Sequence, residues 1–254
     1  MERETIKSLY NEDFYKQQAQ LSYQSATFIL GYLKDILPNL KNVIDVGCGV
    51  GTWLKAWRDL NPKIQIAGID GNCVEEKYYW IPFSSYAEVN LTYPYTHILK
   101  EITSHFAPPP NNISIIEGIK PFCLAQSLEV AEHLDMFYAE NFIDLLTNLS
   151  DIVLFSAAIP FQSGTHHINC QPPQYWADKF AARGYDCYDI LRPKFWGDEK
   201  IAWWYWQNSF LYVHKSVKLK GVKKEITTQA RHYVSPQMLN AHIAYIQNIL
   251  NAKS

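Results

Sequence analysis

The stretch "NVIDVGCGVGTWL", residues 42–54, restricts the fold more than any other part of the chain. A short apolar run ending at Asp45 and Val46 gives way to Gly47, Gly49 and Gly51, and the amphipathic run "TWLKAWRDL" follows at once. Strand, glycine turn and helix in that order open a βαβ unit. A turn without side chains lets the helix start close to the strand end and leaves backbone N–H groups free for a ligand. The spacing is G-x-G-x-G, not the G-x-G-x-x-G of dinucleotide sites. Asp70 closes a second apolar run, "IQIAGID" (64–70), where a carboxylate can accept both hydroxyls of a ribose.

The rest of the chain continues the alternation. "YAEVNL" (86–91), "PFCLAQSL" (121–128) and "DIVLFSAAI" (151–159) read as strands, and "CYDIL" and "QNSFLYVH" supply two more. Helical spacing covers residues 13–37, the run "EVAEHLDMFYAENFIDLLTNL", residues 172–185 with Pro near the start and Gly at the end, and residues 235–251. Strands alternating with helices predict an α/β, Rossmann-like fold, a seven-stranded and mostly parallel sheet with helices on both faces.

The chain divides into an N-terminal helical lid or cap (1–40), a core (41–214), and a basic linker with a C-terminal helix (215–254). Residues 97–120, which contain "HFAPPPNN", read as an insertion or lid loop. The aromatic stretch "FWGDEKIAWWYWQNSF" (195–210) reads as a core strand with a hairpin partner, or as an aromatic wall over a pocket. The linker "KSVKLKGVKK" reads as solvated. Met238, Leu239, Ile243, Ile246, Ile249 and Leu250 give the last helix an apolar face for docking on the domain or on a second subunit, as a homodimer.

Composition narrows the partners. A formal net charge of −2 over 254 residues, with no basic stripe, argues against a nucleic-acid binder. No apolar run approaches a membrane span, and the N-terminal "MERETIKSLYNEDFYKQQ" is too polar for a signal peptide. Five scattered cysteines without a CxxC read as reduced thiols, and so as a cytoplasmic protein.

At "DVGCGVG" the sequence resembles the class I S-adenosylmethionine-dependent methyltransferases, whose first motif, D-x-G-C-G-x-G, is matched from Asp45 to Gly51 without a gap. The resemblance extends to a subgroup carrying "DVGCGVGTWL", "SLEVAEHL", "HHINCQPPQYW" and "WYWQNSFLYV", and covers roughly residues 10–214. It implies that Gly47, Cys48, Gly49 and Gly51 line the methionine and ribose portion of S-adenosylmethionine, with Asp45 supporting the loop. Asp70, followed by Gly71, would hold the ribose hydroxyls. Asn90 would accept from the adenine amino group and Leu91 would flank the ring. Gln126, Ser127 and Leu128 would end the fourth strand beside the methionine moiety, and Tyr23, with Phe14 and Tyr15, would cover the cofactor. The long connection at 97–120 departs from the family's usual shorter one.

A second constellation follows the fourth strand. In "EVAEH", Glu129, Glu132 and His133 stand at i, i+3 and i+4, a spacing that puts all three on one face of a helix start. "GTHHINC" adds His166 and His167 after the fifth strand. Carboxylates with imidazoles suit a divalent cation such as Mg²⁺ or Mn²⁺, here from Glu129, Glu132, His133 and His167. The pattern resembles that of Hen-type small-RNA 2′-O-methyltransferases and of some ubiquinone-pathway O-methyltransferases, in which a divalent metal holds the acceptor oxygens. Without a metal, His167 is the expected general base, with His166 second and Glu129 as electrostatic support. The leading expectation is O-methylation of a small biosynthetic molecule: a sugar, phenol, polyketide or carboxylate. N-methylation, RNA 2′-O-methylation, a non-catalytic cofactor-binding module and a nicotinamide oxidoreductase are the rivals.

Overall fold

The computed structural model describes residues 12–37, 40–106, 120–222 and 230–251, and describes 12–17 as backbone only. The elements are α1 (Glu12–Leu33), β1 (Asn42–Val46), α2 (Thr52–Leu60), β2 (Gln65–Asp70), β3 (Tyr86–Glu88), α3 (Tyr95–His105), β4 (Leu124–Leu128), α4 (Ala139–Leu149), β5 (Ile152–Ser156), α5 (Pro173–Ala182), β6 (Tyr185–Tyr188), α6 (Arg192–Phe195), α7 (Trp203–Asn208), β7 (Phe210–His214) and α8 (Pro236–Asn251). The strands form the expected seven-stranded sheet, in the order β3-β2-β1-β4-β5-β7-β6. β3, β2, β1, β4 and β5 run parallel, and β7 runs antiparallel to both of its neighbours.

Burial on both faces explains why the strands are apolar runs. In β1, Ile44 and Val46 face one core layer with Ile98, Phe142, Leu146 and Phe180 from α3, α4 and α5. Val43 faces the other layer, with Leu30, Leu54, Trp57 and Trp206 from α1, α2 and α7. Fully burying one such side chain contributes about 1.5–3 kcal/mol. Strand order reverses between β1 and β4. Their C-terminal ends, with those of β2, β3 and β5, point to the same edge, where a parallel sheet opens its crevice. That edge holds the glycine loop, Asp70, Asn90, Glu129 and the segment from Ala157 to Gln171.

Several expectations need correction. Residues 97–105 belong to α3, whose Ile98 and Ile102 are buried in the core, so the first part of the expected insertion is a packed layer. Residues 107–119 lie outside the description. The C-terminal half of α1 is core rather than a detachable cap, with Ile29, Leu30 and Leu33 fully buried. Within the aromatic stretch Phe195 ends α6, Trp203–Asn208 form α7 and only Phe210 enters a strand, so there is no hairpin. α7 is wedged between α1 and α2: Tyr205 meets Ser22 through its hydroxyl at 3.1 Å and the Trp53 ring at 5.0 Å. The linker is not merely solvated, because Val217, Leu219 and Val222 pack on the core and Lys220 N–H donates to the Ile36 carbonyl at 3.1 Å. α8 buries Met238 and leaves Leu239, Ile243, Ile246, Ile249 and Leu250 exposed. Among the described residues no helix is long and apolar enough to cross a membrane.

Candidate active site

The glycine loop leaves β1 with Gly47, Gly49 and Gly51 all at positive φ, at 81°, 52° and 81°. Two of them are required by packing as well. A Cβ on Gly47 would stand 2.4 Å from the Val130 side chain, and one on Gly51 would stand 2.7 Å from Ile81. Gly49 differs, because a Cβ there would meet nothing within 4 Å. It therefore keeps open space beside the backbone. Its N–H donates to Asp70 Oδ2 at 2.8 Å, and Asn72 N–H donates to Asp70 Oδ1 at 2.8 Å. Each Asp70 oxygen keeps a lone pair for a further donor. Burial pushes the Asp70 carboxyl up, and those two N–H groups pull it back.

The remaining predicted cofactor residues fall into different environments. Asp45 is buried beneath the loop and accepts from Gln126 Nε2 at 2.9 Å, while Gln126 Oε1 accepts from Trp57 Nε1 at 2.9 Å. Burial pushes the Asp45 carboxyl from 3.8 to about 7. The Cys48 side chain points into the core towards Gly68 and Leu54, so only its backbone belongs to the loop surface. Gly71 is exposed beside β3. Asn90 is exposed, and its Oδ1 already accepts from the Thr92 N–H and hydroxyl, at 3.0 and 2.8 Å. Leu91 and Leu128 are core, and Ser127 is buried with its hydroxyl unpartnered. Tyr23 lies alongside α2: its hydroxyl donates to Asp59 in the last turn at 2.6 Å and its ring packs 5.1 Å from Trp80. Trp80 N–H in turn donates to the Val50 carbonyl of the glycine loop at 2.9 Å. The side chains of Phe14 and Tyr15 are outside the description.

Val130 links the loop to the second constellation. "EVAEH" is not a helix start: Glu129 has φ 56°, and Ala131–His133 is a single tight 3₁₀ turn. The turn still converges the predicted groups. Glu132, His133 and His167 bring one donor atom each within 4.8 Å of one another. The His133 and His167 rings lie 5.0 Å apart at 76°. His133 Nδ1 meets the His166 carbonyl at 3.3 Å, and His167 Nδ1 meets the Gln162 carbonyl at 3.1 Å. A carbonyl only accepts, so each Nδ1 carries the proton and each Nε2 keeps its lone pair. Desolvation lowers both imidazole pKa values, which keeps the rings neutral at neutral pH.

No donor meets either Glu132 oxygen at hydrogen-bonding geometry, although the carboxylate is fully buried. The N–H groups of Glu132 and Ala158 lie near it and soften the effect. Burial, then the negative charge of Glu129, push this carboxyl well above its usual range. Glu129 is better served. Asn208 Nδ2 donates to its oxygens at 3.1 and 3.2 Å, and Gln162 Nε2 donates at 3.1 Å. Desolvation nonetheless pushes it to about 7. Burial raises both carboxyls, and a divalent cation at this donor set would replace their protons and hold them in the charged form.

His166 is not part of this cluster. Its side chain is exposed, and it contributes through its carbonyl and its φ of 58°. Glu129, Phe161 and His166 are the non-glycine residues at positive φ among those described, and all three follow β4 or β5 at the crevice. Such conformations cost on the order of 1–2 kcal/mol each and gather at sites that hold a ligand. The amides Gln162, Gln207 and Asn208 were not foreseen from sequence. Their one sequence signal is polarity inside apolar or aromatic runs, in "AIPFQSG" and "WYWQNSF".

No protein-family model matches the chain, and no curated protein matches it by sequence. Solved structures do. The sugar N-methyltransferase KedS8 from Streptoalloteichus sp ATCC 53650 is 11% identical with a TM-score of 0.52, over 81% of this chain and 93% of that one. The methyltransferase domain of bacterial CtHen1-C is 20% identical with a TM-score of 0.47, over 76% and 98%. A SAM-dependent methyltransferase from Archaeoglobus fulgidus is 14% identical with a TM-score of 0.46, over 64% and 70%. At these identities the likeness is one of fold, and the sheet described above has the Rossmann-like class I methyltransferase fold.

Proposed function

We propose that this chain is an S-adenosylmethionine-dependent methyltransferase that O-methylates a hydroxyl of a small biosynthetic molecule, with a divalent cation at the acceptor site. One observation supports this reading above the others. The buried Glu132 carboxyl and one ring nitrogen each of His133 and His167 converge two residues beyond Val130, which packs against Gly47 of the glycine loop.

The residues fit both groups. Gly49 leaves the space and Asp70 the acceptor lone pairs that an adenosyl ribose needs. When bound, S-adenosylmethionine would supply a methyl group on a sulfonium, whose carbon the acceptor oxygen would attack in line as the C–S bond breaks and its electrons leave with sulfur. Glu132, His133 and His167 would hold the cation, with Glu129 beside them, and the cation would lower the pKa of the acceptor hydroxyl. Asn208 and Gln162 fix the Glu129 carboxyl through their amide N–H groups and so keep the second acid turned towards the cluster. If the acceptor reacts without a cation, His167 Nε2 takes its proton instead, because its Nδ1 is occupied by the Gln162 carbonyl.

Methyl-labelled S-adenosylmethionine, supplied to the protein with a fractionated cell extract, tests the reading. Label is expected in small metabolites, to be lost on adding a chelator and restored by Mg²⁺ or Mn²⁺. Label in RNA would contradict the small-molecule acceptor. Labelling that survives chelation would remove the cation and leave His167 as the base.

A further inference from the structure

We infer that the acceptor occupies a cavity of about 620 Å³ between the 160–170 segment and α8, and that it is a flat, mostly apolar aromatic hydroxy compound; the inference rests on the methyl-transfer reading above. The cavity is walled by Phe161, Trp203, Met238, His242 and Tyr245, and His167 stands on its lining. Its size suits a small organic molecule, since ligand pockets span roughly 300–1,000 Å³.

The position joins the cavity to the reacting centre. Gln162 lines it and donates to Glu129 at 3.1 Å, and the lining His167 is one of the three clustered donors. An acceptor lying in the cavity therefore presents one end to the cluster, and the cluster touches the glycine cradle through Val130 and Gly47.

The lining argues for the acceptor's class. Phe161 is 77% exposed, held by a backbone at φ 69°, and its ring meets His242 at 5.7 Å. An apolar ring kept out of the core by a strained backbone is a wall awaiting a partner, and aromatic walls favour offset or edge contacts with a flat ring. Among the described residues no lysine or arginine lines the cavity, so a phosphodiester chain would find no counter-charge there. Gln162, Ser163, the two imidazoles, the Tyr245 hydroxyl and the Trp203 N–H stand singly among apolar walls, a lining that favours one or two hydroxyls on an apolar ring over the many hydroxyls of a sugar.

α8 is anchored as part of this wall. Ser235 N–H donates to Gln207 Oε1 at 2.6 Å, and Ser235 Oγ accepts from Met238 N–H at 3.0 Å. Gln207 Nε2 also donates to Gln162 Oε1 at 3.3 Å, and Asn208 Nδ2 donates to the same atom at 3.0 Å. A buried amide ladder thus runs from the Glu129 carboxyl to the start of the helix that closes the cavity.

Calorimetric titration of the full chain with 2-naphthol, free and loaded with S-adenosylhomocysteine, tests the assignment. Saturable one-site binding is expected. Ala241→Trp puts a large ring into the cavity from an exposed helix position, and is expected to weaken 2-naphthol binding tenfold or more while S-adenosylhomocysteine binds unchanged. Absence of saturable binding, an Ala241→Trp variant that binds 2-naphthol as well as the parent, or displacement of 2-naphthol by a single-stranded oligoribonucleotide would each overturn it. Protein that binds 2-naphthol in this way but ignores S-adenosylhomocysteine would retain the cavity assignment and defeat the methyl-transfer reading, so the two failures are separable.

Discussion

Asp45 shows how one residue can be legible in kind and hidden in consequence. Its place in "DVGCGVG" marks it as support for the loop, but only the fold reveals that it sits fully buried with Gln126 as its donor. Its carboxyl is raised from 3.8 to about 7, so between those values the folded protein keeps a proton that the unfolded chain has released. Stability from this group is therefore complete below about pH 4 and declines as pH rises to 7. In ligand-free protein, the stability of the parent relative to Asp45→Asn is expected to fall by roughly 1 kcal/mol per pH unit between about pH 5 and 7. Denaturant melts of both proteins across that range check it, and a pH-independent difference would rule out burial as the cause. The glycines and Asp70 were readable because their relation is carried by one βαβ unit. Gln162, Gln207 and Asn208 were not, because their ladder assembles only when β5 and β7 pair, and an amide in an aromatic run carries no periodic signal.

Elements were read best where length and burial left one solution. Six strands stand within the apolar runs that predict them, whereas β6 (Tyr185–Tyr188) is shifted two residues ahead of the run Cys187–Leu191. The failures share a cause. α7 spans Trp203–Asn208, too short to display a helical period, and its aromatics carry strand propensity, so only its docking between α1 and α2 decides its form. α3 was obscured by the prolines that follow it, although Ile98 and Ile102 already stand one turn apart. The turn Ala131–His133 brings Glu132 and His133 together with His167 without a regular helix, so the i, i+3, i+4 spacing does not act through a helix face here. Gln207→Leu tests the ladder at this scale. It leaves the Ser235 N–H and one acceptor pair of Gln162 unserved, at a cost of about 1–3 kcal/mol. Amide hydrogen exchange across the first turns of α8 is expected to accelerate more than exchange in β1 or β4; uniform behaviour would mean that the ladder does not anchor the helix.

For the whole molecule, the switch between β1 and β4 sets the arrangement. One side of it carries the glycine loop and the other the Glu132–His133–His167 cluster, with Gly47 and Val130 in contact between them. A ligand that binds only the folded state stabilises it by mass action. S-adenosylhomocysteine at 100 times its Kd is expected to raise the melting midpoint by roughly 5–10 °C, and NAD is expected to leave it unchanged. A midpoint raised by NAD alone would favour the oxidoreductase reading.

The central claim is that the open space at Gly49 and the Asp70 carboxylate form the cradle for S-adenosylmethionine. Calorimetry of S-adenosylhomocysteine binding to the parent and to Asp70→Ala tests it most directly. The account predicts binding by the parent and a loss of about 1.5–3 kcal/mol in the variant, roughly tenfold to more than a hundredfold in affinity. No binding by the parent, or equal affinity in both proteins, would contradict it.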